Sequence, residues 1–306
     1  MDIIKRRYLY FAISLLVIIP GVISLLVWGL PLAIDFTGGS VLEVQFDAGK
    51  APPPASVIAL YDKLGVRDPE VQSSVNDVLV IRSKEIDETM KNTIVADMGT
   101  QFGSKVVVNS FDTVGPEIGS ETTKNAALAV VAASVGILIY IWYAFRNIPN
   151  SYRYGVAAII ATIHDILVVC GTYSLLGHFL GWEVDSLFLT ALLTVIAFSV
   201  HDDVVVFDRI RENANNYRRV KYDQVVNFSI VQTMDRSINT QFTVMLTLLA
   251  LALFGGLTIR HFIITLLIGV FSGTYSSVFN AAPILVVWQN QEWKTWFRHS
   301  EPKPAA

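Results

Sequence analysis

Six apolar stretches, each long enough to cross a lipid bilayer, constrain this sequence more than any other feature. A bilayer core requires about 20 apolar residues in a helix. The stretches lie at residues 8–29, 125–145, 154–176, 186–207, 238–258 and 262–288. Only 16% of the 306 residues are charged, whereas a soluble domain carries about 25%. The sequence therefore predicts a polytopic α-helical membrane protein and excludes a single soluble globule or a disordered chain. Cys170 is the only cysteine, which excludes a disulfide scaffold.

The basic side chains between the stretches predict the orientation in the membrane, because Lys and Arg collect on the cytoplasmic side. They precede the first stretch, follow the sixth, and concentrate between the second and third and between the fourth and fifth, whereas the loop 177–185 has none. This pattern predicts that both termini lie in the cytoplasm and that residues 30–124 lie outside.

The first stretch lacks an Ala-x-Ala end and is long for a signal peptide, so we expect a retained anchor.

The spans divide the chain into six expected parts. The cytoplasmic N-terminus and first span occupy residues 1–29, an extracytoplasmic α+β domain occupies 30–124, and spans two to four occupy 125–207. A cytoplasmic amphipathic connection occupies 208–237, spans five and six occupy 238–288, and a cytoplasmic tail occupies 289–306.

The polar segment between the first two spans has the pattern of a small α+β domain. Residues 40–46, 71–75, 78–82 and 105–111 are typical of strands, and Asn76-Asp77 predicts a turn between the middle two. Residues 55–64 and 85–102 are typical of helices, and the second carries an apolar stripe at Ile86, Met90, Ile94 and Met98. The order β-α-β-β-α-β predicts a ferredoxin-like domain.

Ionisable side chains within the spans are the main functional candidates, because charge at membrane depth costs roughly 3 kcal/mol or more per group. Asp202 lies about 9 Å inward of the midpoint of the fourth span. We hypothesise that it takes up and releases a proton, with Arg236 at the start of the fifth span as a switchable partner. His201, Asp203 and Asp165 are further candidates for this relay. Helix packing alone is the favoured interpretation for His201 and Asp203, and an equal one for Asp165.

Seven short motifs, in order along the chain, resemble those of the SecF family, the smaller membrane subunits of the bacterial SecDF protein-export machinery. They are Ile34–Gly39, Val114–Gly119, His164-Asp165, Val204–Asn213, Gln232–Thr240, Leu253–Gly256 and Gly273–Ser277.

The resemblance implies half of a bundle of the resistance-nodulation-division (RND) type, paired with SecD in the bacterial cytoplasmic membrane. It implies use of the proton-motive force in late steps of preprotein export, with the SecYEG channel, YajC and the translocating preprotein as further partners and with no cofactor. The proton-carrying aspartate of the family matches Asp202, and its partner arginine matches Arg236. The motifs expected to act as hinges of the outer domain contain Asp35, Phe36, Thr37, Gly38, Gly39, Gly115, Pro116 and Glu117.

One motif departs from the family. Where the family usually has Ser-Ile-Asn-Asp-Thr, this chain has Ser199-Val200-His201-Asp202-Asp203. Two neutral polar residues are thus replaced by ionisable ones. This departure leaves open a second proton carrier, and a coupling ion other than H⁺.

Other functions remain as alternatives or are excluded. An RND-type half-transporter that exports lipids or small molecules is one alternative, and a structural assembly subunit is another. A net charge of −3 with no basic tract argues against a nucleic-acid partner. The sequence shows no nucleophile–base set, Gly-rich phosphate loop or metal-ligand spacing, so an enzyme is not expected.

Overall fold

The computed structural model describes residues 2–74, 77–146, 151–256 and 259–296. Residue Asn76 of the predicted turn, the end of the fifth apolar stretch and most of the predicted tail lie outside these ranges. The chain forms two compact units: an α+β unit, Leu32–Ala129, and a helical unit made of the residues before and after it. The boundary between the units falls within one long helix, at Ala129.

The chain begins with a 3₁₀ turn at Ile4–Arg6 and helix α1 at Arg7–Val27. The α+β unit continues with α2 (Ile34–Thr37), β1 (Gly39–Phe46), α3 (Pro54–Lys63), β2 (Glu70–Ser73), β3 (Val78–Ser83), α4 (Glu88–Phe102) and β4 (Val106–Val114). The strands form one antiparallel sheet in the order β2-β3-β1-β4. This sheet, with α3 and α4 as its connections, confirms the predicted ferredoxin-like topology. The short helix α2 was not predicted.

The core of the α+β unit lies between the sheet and its two helices. Ile94 and Met98 of the predicted α4 stripe are fully buried against Leu42, Val44 and other residues of the sheet. Helix α4 begins three residues later than predicted, because the Asp87 side chain accepts a hydrogen bond from the Met90 backbone N–H at 2.7 Å and so caps the helix.

Helix α5 (Pro116–Phe145) begins in the α+β unit and passes into the helical unit after Ala129. The helical unit continues with α6 (Tyr152–Leu180), α7 (Ser186–Asn216) and α8 (Tyr222–Phe254). Then α9 (Arg260–Ser276) passes through a π-helical segment (Ser277–Ala281) into α10 (Ala282–Gln289), and α11 (Trp293–Trp296) follows. Six helices in the described ranges are long and apolar enough to cross a membrane: α1, α5, α6, α7, α8 and the α9–α10 helix. This confirms a multi-pass membrane protein with six spans.

The helices α7 and α8 extend well beyond their apolar stretches. Only residues 217–221 separate them, whereas the sequence places a connection at 208–237. The extensions are joined by polar side chains: the Asn213 amide donates to Ser229 Oγ and to Gln232 Oε1, each at 2.9 Å, and Arg209 Nε donates to the same Gln232 atom at 2.6 Å. These hydrogen bonds stabilise helical structure where no apolar run predicts it.

Close packing of α9 on α7 occurs at Gly269, which begins a G-x-x-x-G pattern with Gly273. A Cβ atom added at Gly269 would overlap the side chain of Val195. The two helices therefore approach more closely than any larger residue would permit, as expected for small residues at helix interfaces in membranes.

Candidate functional site

The carboxyl of Asp202 is buried on α7, with only 4% of the residue exposed. The side-chain amide of Gln241 on α8 donates a hydrogen bond to its Oδ2 atom. The ring nitrogen Nδ1 of His201 lies 3.7 Å from Oδ1, although most of the His201 side chain is exposed. Asp202 is thus enclosed between two helices, with a neutral amide as its hydrogen-bond donor.

The predicted partner Arg236 does not contact Asp202 in this structure. Its side chain is exposed on α8, and it makes no ion pair with Asp202 in the described ranges. Arg236 precedes Gln241 by five residues and so lies about 140° around the helix from it. Gln241 was not predicted as a site residue, because its only signal in the sequence is an amide side chain inside an apolar stretch.

A second carboxyl, that of Asp165 on α6, is fully buried in a cage of donors. Its Oδ2 atom accepts hydrogen bonds from Ser199 Oγ at 2.6 Å and Ser276 Oγ at 2.8 Å. Its Oδ1 atom contacts Ser272 Oγ at 2.6 Å and His164 Nδ1 at 3.1 Å. Three hydroxyl donors and one ring nitrogen thus surround the two carboxyl oxygens. The Asp165 carboxyl therefore joins α6, α7 and α9.

The serine cage follows from helical spacing on α9. Ser272 and Ser276 are four residues apart and so lie on one face of the helix. Gly273 lies between them, and a Cβ atom added there would be 3.8 Å from Asp165 Oδ2. Gly273 and Ser276 belong to one of the family motifs, but no role was predicted for the serines.

Asp203 is also fully buried. Neither of its carboxyl oxygens has a hydrogen-bond partner within bonding geometry in the described part of the chain. The carboxyls of Asp165 and Asp202 repel a negative charge on Asp203, whereas the nearby Ser277 hydroxyl, which bonds the Ser199 carbonyl oxygen at 3.4 Å, favours one. Asp165, Asp202 and Asp203 together form the carboxyl cluster. Three of the five predicted relay residues are therefore close together, with His201 beside them and Arg236 apart.

The two glycine-containing motifs of the α+β unit meet each other. Gly38 ends α2 with a φ of 70°, and a Cβ atom added to it would lie 2.8 Å from Pro116 Cα. The Thr123 hydroxyl donates to the Phe36 carbonyl oxygen at 3.0 Å. The N-terminal turns of α5 thus pack directly on the segment before β1. The predicted hinge residues on either side of this contact are Asp35, Phe36, Thr37, Gly38 and Gly39, and Gly115, Pro116 and Glu117.

Two family models match the chain. One is described as protein export membrane protein SecD/SecF, C-terminal, and matches residues 74–291, which is more than half of the chain. The other, the SecD/SecF GG motif, matches residues 23–50. The chain belongs to the SecD/SecF family. The first range contains the whole carboxyl cluster of this SecD/SecF member, and the second contains Gly38 and Gly39.

Individual relatives agree with this assignment. Protein translocase subunit SecF from Anaerolinea thermophila is 53% identical over 307 residues, covering 100% of this chain and 99% of the relative. SecF from Thermobaculum terrenum is 45% identical over 316 residues, with the same coverage. The crystal structure of SecDF from Thermus thermophilus, a translocon-associated membrane protein, matches with a TM-score of 0.80 and 30% identity. That match covers 95% of this chain but only 39% of the SecDF chain. These SecD/SecF relatives are transport components rather than enzymes.

Proposed function

We propose that this chain is a SecF subunit that works with SecD and uses the proton-motive force to assist late steps of preprotein export. The observation that carries this proposal is the position of Asp202, a carboxyl buried on a membrane-spanning helix beside the neutral Gln241. A buried carboxyl with no Lys or Arg partner in the described ranges is a group that can exchange a proton during a working cycle.

The proposed cycle exchanges the partner of Asp202 on α8. When Asp202 is neutral, a hydrogen bond from the Gln241 amide satisfies its carboxyl. When Asp202 is ionised, its negative charge attracts Arg236, which lies on α8 like Gln241 but on another face. Each uptake or release of a proton by Asp202 is then accompanied by a rotation or shift of α8. One charge that crosses 100 mV supplies about 2.3 kcal/mol, which biases a two-state equilibrium roughly fiftyfold.

The proposed setting is the bacterial cytoplasmic membrane, with both termini in the cytoplasm and the α+β unit outside. The distribution of Lys and Arg between the spans supports this orientation. The proposed partners are SecD, the SecYEG channel, YajC and the translocating preprotein. The contact of Gly38 with Pro116 is the proposed hinge through which the α+β unit responds to the helices. The cycle requires no cofactor other than protons.

The test compares Asp202→Asn with Asp208→Asn. Both positions are on α7, but Asp208 is exposed and pairs with Arg211 at 2.5 Å. Completion of preprotein export into inverted membrane vesicles is measured with and without a proton gradient. We expect Asp202→Asn to lose the stimulation by the gradient and Asp208→Asn to keep it. If Asp202→Asn stays as gradient-sensitive as the wild type, the proton-carrier role of Asp202 is wrong.

Proton flux in vesicles that contain the purified complex separates the proposal from its alternatives. Flux that changes with an unfolded polypeptide supports export. Flux that changes instead with a lipid or a drug indicates an RND-type pump, and a complex without flux indicates a scaffold.

A further inference from the structure

The carboxyl of Asp203 has no place in the cycle described above, although it is as fully buried as that of Asp165. Adjacent helical residues point about 100° apart, so Asp203 cannot share the Gln241 side of α7 with Asp202. Both of its oxygens are buried without a hydrogen-bond partner in the described ranges. A carboxylate in such a place is so costly that the group binds a proton instead.

Two carboxyls oppose a negative charge on Asp203, those of Asp165 and Asp202. Helix α6 contributes Asp165 together with His164, whose ring contacts the Asp165 carboxyl. Helix α7 contributes Asp202 and its neighbour His201, and the Gln241 amide of α8 is bonded to Asp202 rather than to Asp203. The π-helical segment contributes the hydroxyl of Ser277, which favours a charge on Asp203. Asp165 accepts hydrogen bonds from three serine hydroxyls, so of these two fully buried carboxyls Asp203 is the poorer in donors.

The helix beside Asp203 has a backbone that can rearrange. The π-helical segment Ser277–Ala281 interrupts the sixth span next to the cluster. Pro283 follows in the first turn of α10 and has no N–H to donate to the residue four positions earlier. Single π-helical turns occur frequently at functional sites. A change in the hydrogen bonding of this segment would bring the nearby Ser277 hydroxyl into full bonding geometry with the Asp203 carboxylate.

We propose that Asp203 is a second proton carrier of this chain, neutral in the described conformation and ionised only in a conformation that supplies donors to its carboxylate. This inference rests on the proposed function. Asp203 takes up one proton from water as it becomes enclosed and returns that proton to water when the helices rearrange. Because proton binding differs between the two conformations, the proton gradient biases their equilibrium. The chain then couples two protons to each cycle, one on Asp202 and one on Asp203.

The first test measures the protonation of Asp203 in the complex purified from membranes. Infrared difference spectra at neutral pH detect the C=O stretch of a protonated carboxylic acid, which shifts on deuteration. We expect a band that Asp203→Asn removes and that the matched variant Asp208→Asn leaves unchanged. If Asp203→Asn removes no such band, Asp203 is ionised or holds another cation such as Na⁺, and the inference is overturned.

The second test measures how steeply the export rate rises with the size of the proton gradient. The driving free energy scales with the number of charges moved, so we expect Asp203→Asn to reduce the slope of the logarithm of the rate by about half. Asp203→Thr, the residue usual in the family, is expected to behave in the same way and carries the test if Asp203→Asn does not assemble. An unchanged slope in these variants means that Asp203 is a fixed neutral group, which overturns the inference.

Asp202→Asn separates this inference from the proposed function. If both assignments hold, Asp202→Asn abolishes the stimulation by the gradient, because Asp203 exchanges its proton only when the shift of α8 driven by Asp202 takes place, while Asp203→Asn leaves part of the stimulation. If instead Asp202→Asn keeps the wild-type slope and the Asp203 variants reduce it, the role proposed for Asp202 is lost and the one proposed for Asp203 stands.

Discussion

The side-chain amide of Gln241 on α8 donates a hydrogen bond to the buried carboxyl of Asp202 on α7. This bond is the link that the described residues provide between the functional candidate of α7 and the helix that also carries Arg236. If Arg236 replaces Gln241 as the partner of Asp202 and then leaves again, the neutral Gln241 amide takes its place, and no cation stays buried beside the carboxyl. The Gln241–Asp202 contact is therefore suited to one state of a two-state cycle.

Replacement of Gln241 by Leu tests the contribution of this bond to stability. The variant leaves Asp202 without its donor, and we expect the free energy of unfolding to fall by about 1–3 kcal/mol. Thermal unfolding in detergent measures the loss. Asn239→Leu, at an exposed position on the same helix, is the control and should have a much smaller effect. Equal losses in the two variants would show that the hydrogen bond contributes nothing specific.

The sequence predicted those parts of the molecule that are encoded by charge or by periodicity. Asp165 and Asp202 stand out because a carboxyl inside an apolar stretch is costly, and the strand order of the α+β unit follows from alternating residues. The rotation of a helix about its own axis is not encoded in this way. Position along the span and the family resemblance placed Arg236 beside Asp202, whereas the packing of α8 places Gln241 there.

The roles of neutral polar residues in the spans were also not predicted from the sequence. Serines such as Ser272 are common in membrane spans, and only the fold shows that three of them converge on Asp165. The length of α7 and α8 beyond their apolar stretches was not predicted for a similar reason, because Asn213 and Gln232 join the two helices without any apolar run.

The serine cage predicts that single hydroxyls matter for stability. Ser272→Ala removes one of three hydroxyl donors from the fully buried Asp165 carboxylate, and we expect a loss of about 1–3 kcal/mol in the free energy of unfolding. Ser134→Ala is the matched control, since the Ser134 hydroxyl bonds the Val130 carbonyl oxygen of its own helix, at 2.8 Å, and no other helix among the described residues. Thermal unfolding of both variants measures the loss. If Ser272→Ala is as stable as the Ser134→Ala control, the contacts to Asp165 do not contribute to stability.

The close approach of α9 and α7 predicts a clash that a second substitution relieves. Gly269→Ala introduces a methyl group into the side chain of Val195, and overpacking of this kind costs about 1–3 kcal/mol. We expect Val195→Ala to recover part of that loss in the double variant, because residues in contact do not behave additively. Gly136→Ala, where no atom lies within 4 Å of an added Cβ, is the control. Strictly additive effects of the two substitutions would contradict the contact.

The contact at Gly38, just before β1, predicts that alanine is more costly there than at another glycine with a similar positive φ. Gly38 and Gly49 have φ values of 70° and 73°, but only Gly38 has neighbours that an added Cβ would meet. Gly49→Ala should therefore lose about 1–2 kcal/mol from backbone strain alone. Gly38→Ala should lose more, because the methyl group also presses on Pro116. Thermal unfolding of the α+β unit within the full chain measures both, and equal losses would argue against a packed joint at Gly38.

The carboxylate of Glu292, after α10, binds Arg7 and Tyr8 at the start of α1, and its ionisation determines the pH range in which this contact is stable. Arg7 Nη2 and Nε bind the Glu292 carboxylate at 2.5 and 3.1 Å, and the Tyr8 hydroxyl donates to it at 2.5 Å. Burial raises the pKa of Glu292, but the hydrogen bonds from Tyr8, Arg7 and Asn290 outweigh burial and leave the pKa below its ordinary value. A depressed pKa stabilises the fold above the pKa of the unfolded chain, and the stabilisation disappears as the pH falls through the folded value.

The pH dependence of this contact is the corresponding prediction. We expect the wild type to be more stable than Glu292→Gln above about pH 5, and the difference to shrink as the pH falls below about 4. Thermal unfolding in detergent across this range measures it. Glu212→Gln is the control, because the Glu212 carboxylate also pairs with an arginine, Arg209, but 54% of its side chain is exposed, so its pair contributes little at any pH. A wild-type advantage over Glu292→Gln that stays constant from neutral to acid pH would mean that packing of the side chain, rather than its charge, joins the two ends.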